Sequence, residues 1–176
     1  SAFSYALGRD ILKDVNISVR AGEIVGIAGL MGSGRTELAK SIFGNPDRYR
    51  LSGKVFIRGK EQRFHNPHDA IRSSMAYVTE DRKGNGLILI DDVKHNISLA
   101  NLKEITSSGV INENEEILIA HKYRTELNIK TPSIQQKVRN LSGGNQQKVS
   151  LGKWLFVKPG IMVLDEPTRG IDVGAK

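Results

Sequence analysis

Three short stretches place residue types at spacings that could do chemistry on a phosphate group. In GLMGSGRT (29–36), Gly29, Gly34 and Thr36 fit the template Gly-x4-Gly-Lys-Ser/Thr, with Arg35 where lysine is expected. Glycines let such a loop curl so that the N–H groups of Leu30, Met31, Gly32 and Ser33 face an anion. The following helix N-terminus adds partial positive charge, and Thr36 offers a hydroxyl to Mg²⁺. Arg35 is a departure, because a planar guanidinium does not simply fill the space of a compact ammonium. The plainer alternative is a glycine turn between a strand and a helix.

MVLDEPT (162–168) carries an apolar run that ends in acids. Ligands of open α/β sheets bind at the carboxyl ends of the strands. Asp165 is therefore placed to hold Mg²⁺ through its water shell, and Glu166 to orient and polarise an attacking water. Alone, the pair is also explained by a strand and an acidic turn. In LSGGNQQK (141–148), Ser142 reads as a helix N-cap, and Gly143 and Gly144 clear side chains from the helix entrance. The result is an exposed helix N-terminus with a hydroxyl, an anion site with no strand beneath it. A cap accounts for the serine, but not for two glycines or the polar Asn145, Gln146 and Gln147.

These stretches need a scaffold, and the pattern around them supplies one. Residues 11–20 alternate and are β-branched, a strand. After a turn at Ala21 and Gly22, EIVGIAG (23–29) is predicted as a strand buried on both faces. A helix follows from about Thr36 to Phe43, stopped by Gly44, Asn45 and Pro46. GKVFIRG (53–59) with EQRF predicts a hairpin, and 67–72 a short helix opened by Pro67. MAYVT (75–79) is a buried strand leading to the polar loop EDRKGNG (80–86). From Asp91 to Lys148 the pattern is helical with interruptions, and Ile117, Ala120, Tyr123 and Leu127 share one face. A last helix begins after Ser142, with Trp154, Leu155 and Phe156 turned to the core, and 160–167 is a third buried strand. This order argues for an α/β core on a largely parallel sheet with an inserted helical subdomain.

The bulk numbers bound the classes. At 176 residues, 39% hydrophobic and 26% charged, the chain fits one soluble globular domain. No apolar run approaches the ~20 residues that span a bilayer. Zero cysteines exclude a disulfide framework or thiolate site. The four histidines (His65, His68, His95, His121) show no metal-ligand spacing with carboxylates. A net charge of +7 is compatible with nucleic acid, an anionic membrane or a nucleotide. Aromatics at 6% argue against a stacking platform for single strands. Opening at Ser1 and stopping at Lys176, just past the densest motif, the chain reads as a piece of something longer.

Taken together, GLMGSGRT, LSGGNQQK and LDEPTRGID resemble the ATP-binding cassette family, over nearly the whole chain. GLMGSGRTEL and YVTEDRKGNGL (77–87) are more similar still to the second, C-terminal cassette of the fused ATPases of bacterial ribose/galactose/xylose importers. The resemblance implies a P-loop NTPase fold: a RecA-like core (1–80 and 158–176), a small antiparallel β subdomain and a helical subdomain (about 88–157). It implies ATP and Mg²⁺ as ligands, with 29–36, Asp165 and the catalytic Glu166 serving one site. The signature residues Leu141, Ser142, Gly143, Gly144, Asn145 and Gln146 would reach across to a second cassette, and Arg169 to Asp172 would form the D-loop. Glu80 stands where most cassettes place a glutamine that touches magnesium. Arg35 and Glu80 are both typical of the second sugar-importer cassette, whose own site is the poorer one. The resemblance also implies membrane permease partners docked near 80–90, a peripheral place on the cytoplasmic membrane face and adenine stacking by Tyr5. It puts the switch histidine beyond Lys176. No nucleic acid partner is expected: chromosome-organising relatives insert long coiled coils between phosphate loop and signature, and no heptad run lies here. A nucleotide-binding regulatory module without hydrolysis is the alternative that Arg35 and Glu80 suggest.

Overall fold

Two units divide the chain, one from Ser1 to Ser73 and one from Ser74 onward, and the computed structural model describes residues 1–169. The first unit is built on a three-stranded antiparallel sheet in the order β2-β1-β3, from β1 (Ala2–Ser4), β2 (Arg9–Leu12) and β3 (Arg50–Leu51). Helix α1 spans Arg35–Ile42. The hairpin of β4 (Val55–Ile57) and β5 (Lys60–Gln62) forms as expected, turning on Arg58 and Gly59. Both have positive φ, +51 and +75, as a two-residue primed turn requires. Helix α2 (Pro67–Arg72) starts at Pro67, and the Asn66 side chain caps it by accepting from the Asp69 N–H. Gly44 ends α1 at φ +83, and a Cβ there would sit 2.2 Å from the Asn66 carbonyl carbon. Only glycine permits that approach.

Two strand expectations fail in this unit. The strand predicted over 11–20 is the shorter β2, and 23–29 forms no strand. The turn at Ala21 and Gly22 does form, with Glu23 N–H donating to the Arg20 carbonyl at 3.1 Å. Beyond it Ile24 is 98% exposed. A strand buried on both faces takes ladder bonds from neighbours; no described strand pairs with 23–29, so its apolar residues stay open.

In the second unit β6 (Met75–Val78) pairs in parallel with β9 (Ile161–Leu164), Tyr77 opposite Val163. The predicted polar loop after β6 is a single π-helical turn, Arg82–Gly86, capped by the Asp81 side chain on the Gly84 N–H at 2.9 Å. Helix α3 (Val93–Ser98) passes into a 3-10 segment, Leu99–Ile105. Within the stretch expected to be helical lies a small hairpin, β7 (Thr106–Ser107) and β8 (Val110–Ile111), turning on Ser108 and Gly109, both at positive φ. Helices α4 (Glu113–Glu126) and α5 (Gly143–Phe156) complete the unit. Its core gathers Leu87, Val93, Ile97, Tyr123, Val149 and Phe156 among others, each worth ~1.5–3 kcal/mol on burial for the large aliphatic and aromatic side chains. No described helix is long and apolar enough to cross a membrane.

Candidate functional site

In the first unit the loop 29–36 folds as the glycine pattern requires. Gly32 and Gly34 have φ of +78 and +90, and Ser33 N–H turns back onto the Leu30 carbonyl at 3.1 Å. Gly34 is the N-cap of α1, and no side chain caps the helix. The positive end of the helix dipole lies here and favours a negative charge. A Cβ on Gly34 would meet Leu12 at 2.9 Å, and one on Gly29 would meet Ser33 Oγ at 2.5 Å. Leu30 and Met31 are almost fully exposed, and Arg35 and Thr36 are half-buried at the helix start. Tyr5 is 68% exposed, edge-on to Phe3 at 5.6 Å. It lines an open cleft of about 520 Å³ with Leu7, Asp47, Arg48 and Tyr49.

In the second unit the acids stand at the carboxyl end of β9, as predicted. Asp165 is 7% exposed; its N–H donates to the Val78 carbonyl at 2.9 Å, and its Oδ2 accepts from the Tyr77 hydroxyl at 2.9 Å. Glu166 is exposed and sits at φ +43, a left-handed conformation costing a non-glycine residue ~1 kcal/mol, which turns the chain sharply after Asp165. Glu80, half-buried after β6, is ion-paired with the Arg169 guanidinium. Arg82 donates to the Arg169 carbonyl at 2.7 Å. Of the expected D-loop, 170–172 lie outside the described residues.

The signature stretch is anchored at both ends and bare in the middle. Leu141 is buried in the core, and buried Gln146 donates its amide to the Val138 and Leu141 carbonyls, each at 3.2 Å. Between them Ser142 is exposed as the N-cap of the 14-residue α5. Its hydroxyl accepts from Asn145 Nδ2 at 2.9 Å, while Asn145 Oδ1 accepts from the Lys130 N–H at 2.8 Å. Asn145 thus braces the serine against a neighbouring loop, and Gln146 faces inward.

All three oxygen donors named for magnesium (Thr36, Glu80, Asp165) are hard ligands of the kind that ion takes. Thr36 belongs to one unit and the two carboxylates to the other. Sequence reasoning missed Tyr77 and the grip of Arg169 on Glu80. Period-two alternation in MAYVT already puts Tyr77 and Thr79 on one face, but without the β6-β9 register nothing aims that face at Asp165. Also missed is a cluster of Asp91, Asp92 and His95, whose ligand atoms lie within 4.8 Å of one another. Asp92 is spent there as the cap of α3, on the His95 N–H at 2.8 Å.

The sequence pattern of the ABC transporter family matches residues 12–169. The L-arabinose transport ATP-binding protein AraG of Geobacillus stearothermophilus is 55% identical over 96% of this chain and 33% of its own length. The xylose import ATP-binding protein XylG of Thermoanaerobacter pseudethanolicus is 53% identical over 96% of the chain and 33% of its own length. The ribose import ATP-binding protein RbsA of Clostridium tetani is 51% identical over 94% and 32%. The chain thus spans about a third of the length of these curated relatives. Among solved structures, the dimeric post-hydrolysis ATP-binding cassette MJ0796 bound to ADP and Pi superposes with a TM-score of 0.78. It is 24% identical, and the match covers 99% of this chain and 75% of that one. The fold is that of an ATP-binding cassette.

Proposed function

We propose, because this chain belongs to the ABC transporter family, that it is the ATP-handling part of a bacterial monosaccharide importer, the second cassette of a fused pair. The observation that carries this reading is the signature geometry: an exposed Ser142 hydroxyl at the N-terminus of α5, fixed by Asn145 and followed by two glycines. The names of the relatives supply the transport of arabinose, xylose or ribose, and the cargo of this chain stays at the level of a sugar. In this reading the chain divides into a core (1–80 and 158–176) and a helical subdomain (about 88–157). It works at the cytoplasmic face with permease subunits and a partner cassette.

The loop 29–36 receives the ATP phosphates on its backbone amides and on the uncapped start of α1. Thr36, Asp165 and Glu80 are the residues that would hold magnesium, which would supply positive charge to offset that of the phosphates. Glu166 orients and polarises the water that attacks the γ-phosphate. Ser142, Gly143 and Gly144 are offered to the nucleotide held by the partner cassette, and Arg35 makes this contribution in trans the larger one. Glu166→Gln tests the hydrolytic half: turnover by the chain's own site should fall by ~10²-fold or more, with ATP binding retained. Turnover that survives the substitution would contradict the role of Glu166.

A second reading is a regulatory module that binds nucleotide without hydrolysis. The ion pair of Glu80 with Arg169 favours it, since it occupies the carboxylate named for magnesium. Binding of ATP with no turnover under any pairing would select it.

A further inference from the structure

The carboxylate at the end of β9 is gripped by a side chain that none of the phosphate motifs names. In the parallel register Tyr77 faces Val163, so Tyr77, Thr79 and Asp165 fall on one side of the β6-β9 pair. The Tyr77 hydroxyl donates to Asp165 Oδ2 at 2.9 Å, across 88 residues of sequence. The Asp165 N–H continues the ladder onto Val78. Backbone and side chain of Asp165 are therefore both located by β6. Thr79, on the same side of β6, accepts from the Asp81 N–H at its Oγ1 at 3.2 Å. Tyr77, Thr79 and Asp165 are all buried, where such bonds polarise one another and are strongest.

We infer that Tyr77 is a positioning residue for Asp165: it fixes Oδ2, leaving Oδ1 for the water shell of magnesium. The inference rests on the reading of Asp165 as the magnesium acid. Partners of this kind typically change metal affinity by 10–100-fold when removed.

The test is a magnesium titration of nucleotide binding, followed by the fluorescence of trinitrophenyl-ATP on the chain and on Tyr77→Phe, which keeps the ring and loses only the oxygen. In chelator the two should bind the probe equally. The Mg²⁺ concentration for half-maximal enhancement should rise by roughly tenfold or more in the variant. Should Tyr77→Phe fail to fold, Tyr77→Met, which also lacks the hydroxyl, carries the test. An unchanged Mg²⁺ requirement in either folded variant, while Asp165→Asn raises it, overturns the role of Tyr77 alone. If Asp165→Asn also leaves the requirement unchanged, the reading of Asp165 falls and takes this inference with it.

Discussion

A buried carboxylate is expensive unless it is paired, and Glu116 shows how this chain meets that cost. Its Oε2 lies 2.8 Å from Lys94 Nζ, and its Oε1 accepts from Ser98 Oγ at 2.6 Å. Both ionic side chains are almost fully buried. Burial pushes the Glu116 carboxyl upward, but the bonds from Lys94 and Ser98 outweigh it and leave it below its ordinary value of 4.5. Lys94→Ala should therefore cost ~3–5 kcal/mol in urea unfolding, because it strands a buried charge. A loss below ~1 kcal/mol would instead mark the pair as solvated. The pH sign follows from the depressed value. The stabilisation is full above 4.5 and is lost as pH falls through the lower folded value, so Glu116→Gln should flatten the acid limb. Gly44→Ala should also unfold the first unit readily, since positive φ and a 2.2 Å contact with Asn66 backbone both oppose it. A thermal midpoint equal to that of the native chain would contradict the close approach.

Helix α5 carries the signature at one end and a buried lysine at the other. Lys153 donates to the Gly86 carbonyl in the loop after β6, and burial pushes its ammonium down to about 8 from 10.5. The unfolded chain then holds the proton more tightly than the folded one. Stability should rise between about pH 8 and 10.5 relative to a Lys153→Met variant. Parallel curves for the two chains would show the lysine to be solvated. Local rules made α1, α2, the hairpin 55–62, β6 and α5 legible, because Pro67, Ser142, Gly44 and the apolar runs mark their ends without tertiary help. They failed at 23–29, where a strand exists only if neighbours pair with it, and at 106–111, where a two-residue turn interrupts a helical pattern. The phosphate loop, both acids and the signature serine were legible as motifs. The grip of Tyr77 on Asp165 and of Arg169 on Glu80 was not, since each joins residues almost 90 apart through a register the sequence does not print.

At the scale of the molecule, the chain carries the parts of an ATP-binding cassette on two units and spans about a third of its curated relatives. In the function proposed above, Arg35 weakens the chain's own phosphate grip, whereas Ser142 stands at the N-cap of α5 for a partner's nucleotide. We propose from that asymmetry that this cassette gives more to its partner's nucleotide than it does to its own. The direct measurement is Mg²⁺-dependent ATP hydrolysis by the chain alone and mixed with a cassette whose phosphate loop has its lysine. The account predicts little turnover alone, stimulation in the mixture, and loss of that stimulation in Ser142→Ala. Strong turnover by an unpartnered Arg35→Lys chain, or stimulation that survives Ser142→Ala, would contradict it.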